Sequence, residues 1–156
     1  MFILACIPAY NEENRIGKTI LDVLQHVDKV IVCDDGSSDN TENEANMYGA
    51  YVIKHQKNLG KGAALKSLFE FAKASNADII VTIDADGQFI PKEIPKLIKP
   101  IIEENVNIVV GNRFDDEKIA PACSFESGIR SLEIINAIEE SNLKKTPIIT
   151  SNYSEK

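Results

Sequence analysis

Cysteine is scarce in this chain. Cys6, Cys33 and Cys123 are the whole set, an odd number without metal-ligand spacing. That count excludes a disulfide framework, and reduced thiols in a cytosolic setting are expected. Long apolar runs are also lacking. None reaches the ~18–20 residues that span a bilayer. The apolar stretch 1–8 is too short for a signal peptide and has no basic start. A cytoplasmic chain is expected, meeting any membrane only as a peripheral surface. Basic residues are outnumbered: 17 Lys and Arg stand against 24 Asp and Glu, a formal net charge of −7. A general nucleic-acid binder needs a basic face to displace counterions, so that class is excluded. A nucleotide ligand is not, because one metal ion and one or two basic side chains neutralise a diphosphate locally. Several catalytic signatures are missing as well. The sequence has no Gly-x-Ser-x-Gly, no Gly-x-Gly-x-x-Gly and no zinc spacing.

What is present fits one globular domain. The 156 residues are 44% hydrophobic and 26% charged, enough to bury a real core. Apolar runs at 2–7, 29–33, 50–53, 79–83 and 107–110 read as strands. Between them, Ile16, Ile20, Val23, Leu24 and Val27 recur at helical spacing, as do Leu65, Leu68, Phe69 and Ala72, and Ile94, Leu97, Ile98, Ile101 and Ile102. Asp39 stands three residues before Glu42, as in a capping box. This order predicts an α/β, Rossmann-like fold: a mostly parallel sheet with helices on both faces and right-handed crossovers. Polar loops at the carboxyl ends of the strands are then the expected ligand site. After Phe114 the pattern weakens, with a helix expected at 132–138 and a short strand at 147–150.

Asp84-Ala85-Asp86-Gly87-Gln88 carries the strongest local chemistry. Two carboxylates one residue apart at a strand end project to the same side and offer hard oxygens to Mg2+ or Mn2+. An Asp-Gly turn with no ligand is the simpler alternative. Asp34-Asp35-Gly36-Ser37-Ser38-Asp39 ends the second strand. Ser37, Ser38 and Asp39 suit a helix cap; the adjacent acids leave Asp35 as a candidate for a base or ribose. In Pro8-Ala9-Tyr10-Asn11-Glu12-Glu13, Tyr10 suits stacking on a base and Glu12 a ribose or base edge, whereas Glu13 suits a helix start. Asn58-Leu59-Gly60-Lys61-Gly62 lacks the first Gly and the Ser/Thr of a Walker loop. It reads as a glycine-opened helix start with one useful cation, Lys61. Arg113 is a second, whose alternative is a surface ion pair with Asp115 or Asp116. His26 and His55 belong to no ligand pattern and are assigned to structure.

Taken in order, these motifs resemble family 2 glycosyltransferases of the GT-A fold, closest to the dolichyl- or polyprenyl-phosphate sugar synthases. The resemblance covers residues 2–114, through Ile7-Pro8-Ala9-Tyr10-Asn11-Glu12, Asp34-Asp35-Gly36-Ser37, Asn58-Leu59-Gly60-Lys61-Gly62, Asp84-Ala85-Asp86-Gly87-Gln88 and Gly111-Asn112-Arg113-Phe114. It implies an inverting transfer from a nucleoside-diphosphate sugar. Pro8, Ala9, Tyr10, Glu12 and Asp35 would hold the nucleoside. Lys61, Asp84 and Ala85 would line the nucleotide, and Asp84 and Asp86 would bind the metal–diphosphate. Gln88 would contact diphosphate or sugar, and Arg113 a phosphate, making Asp86, Gln88 and Arg113 the catalytic set. A lipid phosphate at a membrane surface is the implied acceptor.

The tail departs from the family. Ser127-Gly128-Ile129-Arg130 resembles an acceptor-side segment drawn up too close to Phe114. The expected division is a donor-binding core at 1–114 and a shortened acceptor-side tail of the same domain at 115–156. Two alternatives follow. One is a shortened relative that binds nucleotide or a partner without turnover. The other is a phosphatase using Asp-x-Asp-Gly, which would want that motif near the N-terminus.

Overall fold

The computed structural model describes residues 1–104 and 107–111 and the backbone of 148–151. Expectations for Arg113, for a helix at 132–138 and for the segment 127–130 lie outside the described residues. The elements run β1 (Ile3–Ala9), α1 (Ile16–Leu24), β2 (Lys29–Asp34), α2 (Thr41–Met47), β3 (Tyr51–Lys54), α3 (Lys61–Ala74), β4 (Ile79–Thr82), a 3-10 turn (Pro91–Glu93), α4 (Ile94–Glu103), β5 (Ile108–Gly111) and β6 (Ile148–Ser151). The sheet order is β3-β2-β1-β4-β6-β5, and every pairing is parallel. The α/β reading is therefore observed. The short tail strand expected at 147–150 is β6, inserted between β4 and β5 rather than added at an edge.

Alternation along the strands builds two apolar layers, because successive side chains leave on opposite faces. Ala5, Ile7, Val30, Val32, Ile79 and Val81 pack with Ile16, Ile20, Val23, Ala45, Ile94 and Ile98 of α1, α2 and α4. Leu4, Cys6, Ile31, Cys33 and Ile80 face the other way, onto Ala64, Leu68, Phe69 and Ala72 of α3. One face thus carries three helices and the other carries α3 among the described residues. At the amino edge, Asp78 accepts from the Phe2 N–H at 2.6 Å and Asp28 from the Ile3 N–H at 2.7 Å. Those acids occupy backbone donors far from the carboxyl edge, where the motifs lie.

The capping box does not form as expected. Asp39 Oδ1 accepts from the Thr41 N–H at 3.0 Å, but Glu42 leaves the helix start and pairs with Lys54. Lys54 ends β3 beside Asp34, so its ammonium competes better for Glu42 than a backbone N–H does. Ser37 and Ser38 do not cap α2 either. The Ser37 hydroxyl accepts from the Asn11 N–H at 2.9 Å, and the Ser38 N–H donates to Asn11 Oδ1 at 2.9 Å. They join the loops after β1 and β2.

Leu68 is fully buried between α3 and the sheet, whereas Leu21 on α1 is 49% exposed. In urea denaturation, Leu68→Ala is expected to lose about 3 kcal/mol from the cavity it leaves. Leu21→Ala should stay within about 0.5 kcal/mol of the parent. Equal losses would contradict the layer assignment.

Candidate functional site

Strands β2, β1 and β4 are consecutive neighbours and all parallel, so their carboxyl-end loops emerge on one edge. The chain runs outward from β1 through β2 to β3, then returns to place β4 on the other side of β1. That reversal makes the β1–β4 crevice a topological switch point, where ligands bind in open α/β sheets. The loop carrying Tyr10 and Glu12, the loop carrying Asp35, and Asp84-Ala85-Asp86 all open there. Arg113 lies outside the described residues; β5, which leads to it, ends at Gly111.

The first two loops are stitched together. Beyond the Asn11 contacts, the Glu12 N–H donates to Thr41 Oγ1 at 2.8 Å and the Glu13 N–H to Asp39 Oδ2 at 3.1 Å. The Asn40 N–H donates back to Glu13 Oε2 at 2.9 Å. Burial pushes the Asp39 carboxyl up, but hydrogen bonds from Thr41 and the Glu13 N–H outweigh it and hold the group below its ordinary range. Tyr10 is left 47% exposed on this braced loop, and Glu12 holds Arg15 at 3.1 Å. Ala9 is buried and Pro8 half-buried.

The adjacent acids separate by strand alternation. Asp34 continues the Val30–Val32 face and is fully buried. Its Oδ1 accepts from the Ser37 N–H at 3.0 Å. Its Oδ2 has no hydrogen-bond partner, and the Lys54 ammonium stands 3.9 Å away. Asp35 follows Ile31 and Cys33 onto the α3 face. There Oδ1 accepts from His55 Nδ1 at 2.6 Å and from the Leu59 N–H at 3.0 Å, and Oδ2 from the Gly60 N–H at 2.7 Å. Asp35 is 3% exposed, so it does not present the free carboxylate that its position in the sequence suggests. Gly36 permits this closeness. Its φ is +72°, and a Cβ there would lie 2.4 Å from the Lys57 carbonyl carbon.

His55, which the sequence assigns to structure, takes a structural part here by joining the Asp35 network. An ionised carboxylate only accepts, so Nδ1 donates to Asp35, while Nε2 lies 2.9 Å from the Ser67 hydroxyl and 3.6 Å from Cys33 Sγ. No ligand motif marks this histidine; its signal is its place one residue beyond β3, next to β2 in the sheet. His26 closes the last turn of α1 through its N–H to the Val23 carbonyl. Cys6 and Cys33 are free and buried. Burial raises both thiols above the ordinary range. Cys33 is pushed up to about 12 by burial and then by Asp35 and Asp34, which disfavours its thiolate.

Beyond β4, burial alternates. Ile83 and Ala85 are buried while Asp84 and Asp86 are half-buried. The Thr19 hydroxyl, shared between the Arg15 carbonyl at 3.1 Å and the Ala85 carbonyl at 3.4 Å, brings this turn against α1. Asp86 Oδ1 accepts from the Gln88 N–H at 2.9 Å across Gly87, whose φ is +74°. That side-chain turn fixes the second carboxylate. Asp84 Oδ1 lies 2.7 Å from the ammonium of Lys61, the first residue of α3. Asp84 and Lys61 thus meet at the crevice, and Asp86 stands two residues on in the same turn. Among the described residues no group of three His, Cys, Asp or Glu side chains is able to hold a metal alone. A two-carboxylate set suits a hard divalent ion that brings phosphate oxygens with it.

The family model described as glycosyl transferase family 2 matches residues 4–148. The chain belongs to that family. It is 38% identical over 134 residues to the UDP-N-acetylglucosamine–dolichyl-phosphate N-acetylglucosaminyltransferase of Methanococcus voltae, covering 74% of this chain and 53% of that protein. It is 34% identical over 115 residues to an undecaprenyl-phosphate 4-deoxy-4-formamido-L-arabinose transferase of Proteus mirabilis, covering 66% and 34%. A solved structure of glucosyl-3-phosphoglycerate synthase from Mycobacterium tuberculosis, with Mn2+, UDP-glucose and glycerol 3-phosphate, superposes with a TM-score of 0.61 at 32% identity. That match covers 72% of this chain and 44% of the synthase. The chain spans about half the length of the curated relatives it matches. The fold is that of these GT-A-type enzymes.

Against burial, the hydrogen bonds from His55, Leu59 and Gly60 hold the Asp35 carboxyl below its ordinary value. A carboxyl held low in the folded state adds stability that is present above its unfolded pKa of about 3.9. That stability is lost as pH falls through the folded value. Asp35→Asn is therefore expected to be less stable than the parent at pH 7, by about 1–3 kcal/mol. The gap should shrink as pH drops below about 4. A gap that stays constant in urea titrations from pH 7 to pH 3 would contradict this account.

Proposed function

We propose that the carboxyl edge of β2, β1 and β4 is the donor site of an inverting glycosyltransferase. It would move a sugar from a nucleoside diphosphate to a polyprenyl- or dolichyl-phosphate acceptor. The observation that carries this reading is the half-buried pair Asp84 and Asp86, two residues apart at the switch point, with Lys61 2.7 Å from the first. The relatives that act on dolichyl- and undecaprenyl-phosphate support the acceptor class.

In this reading Tyr10 stacks on the base, and Pro8, Ala9 and Glu12 line the nucleoside. Asp35 serves the pocket from behind, by fixing the turn at Leu59 and Gly60. Asp84 and Asp86 would hold Mg2+ or Mn2+ for the diphosphate, with Ala85 buried between them as the anchor of the turn. When bound, the ion supplies charge neutralisation for the leaving diphosphate. Lys61 and Arg113 add positive charge where negative charge develops, and Gln88 contacts diphosphate or sugar. The acceptor oxygen attacks the anomeric carbon from the face opposite the diphosphate. A new C–O bond forms there, the old one breaks with its electron pair on the phosphate oxygen, and the configuration inverts. A phosphate acceptor is already ionised, so no strong general base is required.

The donor core would be residues 1–114, its sheet completed by β6 from the 115–156 tail, which would also carry the acceptor side. No helix among the described residues is long and apolar enough to cross a membrane. A lipid acceptor would therefore be met by the described part of the chain at the membrane surface. Donor binding is the activity that the described residues support best, because the loops that would carry it lie among them. Transfer needs the acceptor oxygen within ~3–3.5 Å of the anomeric carbon and in line with the leaving group.

In thermal-shift assays, UDP or GDP with Mn2+ is expected to raise Tm, since a ligand of the native state stabilises by mass action. Asp86→Asn should abolish the Mn2+-dependent shift and leave the unliganded Tm within a few degrees of the parent. An undiminished shift would overturn the metal assignment. With radiolabelled donor, the chain alone should show slow hydrolysis and little transfer to polyprenyl phosphate. Efficient transfer would show that 115–156 builds a complete acceptor site.

A further inference from the structure

Lys61 occupies an electrostatically poor position for helix stability. It is the first residue of α3, a helix of 14 residues whose first turn holds no acidic side chain. The helix dipole places positive charge at that end, so a cation there is disfavoured. Its ammonium is met instead by Asp84, which lies 23 positions along the chain and on another element. Lys61 is 57% exposed and Asp84 17% exposed. A half-exposed ion pair contributes little to stability. Its effect falls on the carboxylate it holds.

We infer that Lys61 is an internal counter-ion that keeps a divalent cation off Asp84 until a diphosphate arrives. This rests on the donor-site reading above and adds an order of assembly to it. A divalent ion entering at Asp84 and Asp86 alone must approach an ammonium 2.7 Å from the oxygen it needs. A unit charge against a divalent ion at ~4 Å weakens binding by about tenfold or more even in a water-like medium. A nucleoside diphosphate changes the balance. It offers Lys61 other anionic oxygens, so the ammonium moves from Asp84 to a phosphate, and Asp84 turns to the metal. Metal and nucleotide then favour each other's binding, and linkage makes that effect reciprocal. The flexible four-carbon stem of lysine suits the exchange, because the compact ammonium can change partners without a fixed fork geometry.

The test reads binding, not turnover. Free Mn2+ is followed by electron paramagnetic resonance with protein alone, and UDP or GDP affinity is measured by calorimetry with and without Mn2+. The parent chain should bind Mn2+ weakly alone and far more tightly with nucleotide. Lys61→Gln should bind Mn2+ alone about tenfold more tightly than the parent. It should bind nucleotide more weakly and show a smaller coupling between the two. Lys61→Arg keeps the charge and should retain the weak binding of Mn2+ alone. Asp84→Asn reports whether the metal signal comes from this site. If Lys61→Gln leaves the affinity for Mn2+ alone unchanged while the parent binds Mn2+ and nucleotide together, the counter-ion role is wrong and the donor site stands. If the parent binds no nucleotide at any Mn2+ concentration, the donor site itself is wrong and the inference falls with it.

Discussion

The Asp35 carboxylate joins the end of β2 to His55, just beyond β3, and to the Leu59 and Gly60 N–H groups before α3. Much of the arrangement at the carboxyl edge depends on that junction. Gly60 enters α3 with φ +91°, and Lys61 follows it directly, so the position of the Lys61 ammonium depends on where the Asp35 carboxylate holds the turn. Burial of an ionised carboxylate is costly unless its oxygens are hydrogen-bonded. Here both oxygens are occupied, and the same bonds that offset that cost fix the loop. The junction is structural chemistry placed within reach of the crevice.

Two further constraints converge on the same edge. The loops after β1 and β2 share hydrogen bonds through Asn11, Ser37, Ser38, Asp39 and Thr41, so Tyr10 stands on a braced loop. The turn after β4 is pinned by Ala85 in the core and by the Thr19 hydroxyl, which leaves its flanking carboxylates at the crevice. A site of this kind is largely pre-formed, with polar groups converging where the strand order reverses.

The centre of the sheet was legible in the sequence because β1, β2 and β4 are buried on both faces and read as apolar runs. The Asp84–Asp86 pair was legible for a related reason: the two-residue period sends Ile83 and Ala85 one way and the acids the other. The same period also sends Asp34 and Asp35 to opposite faces. Which face meets the α3 turn depends on the sheet order and the crossovers, and that is tertiary information. For that reason the motif around Asp35 does not disclose its bonds to His55 and to the Leu59–Gly60 turn, and His55 has no motif around it at all. Glu42 shows the same limit. Its spacing from Asp39 fits a capping box, but Lys54 comes beside it only when β3 pairs with β2.

The central claim is that metal and nucleoside diphosphate meet at the crevice of β2, β1 and β4. Paramagnetic broadening of amide resonances by Mn2+ with UDP or GDP locates that meeting point directly. The account predicts the strongest broadening at residues 84–88, with weaker effects at 10–12 and 59–61, and resonances near Asp28 and Asp78 at the amino edge left sharp. Broadening centred on the amino edge, or spread evenly over the acidic surface, would contradict it.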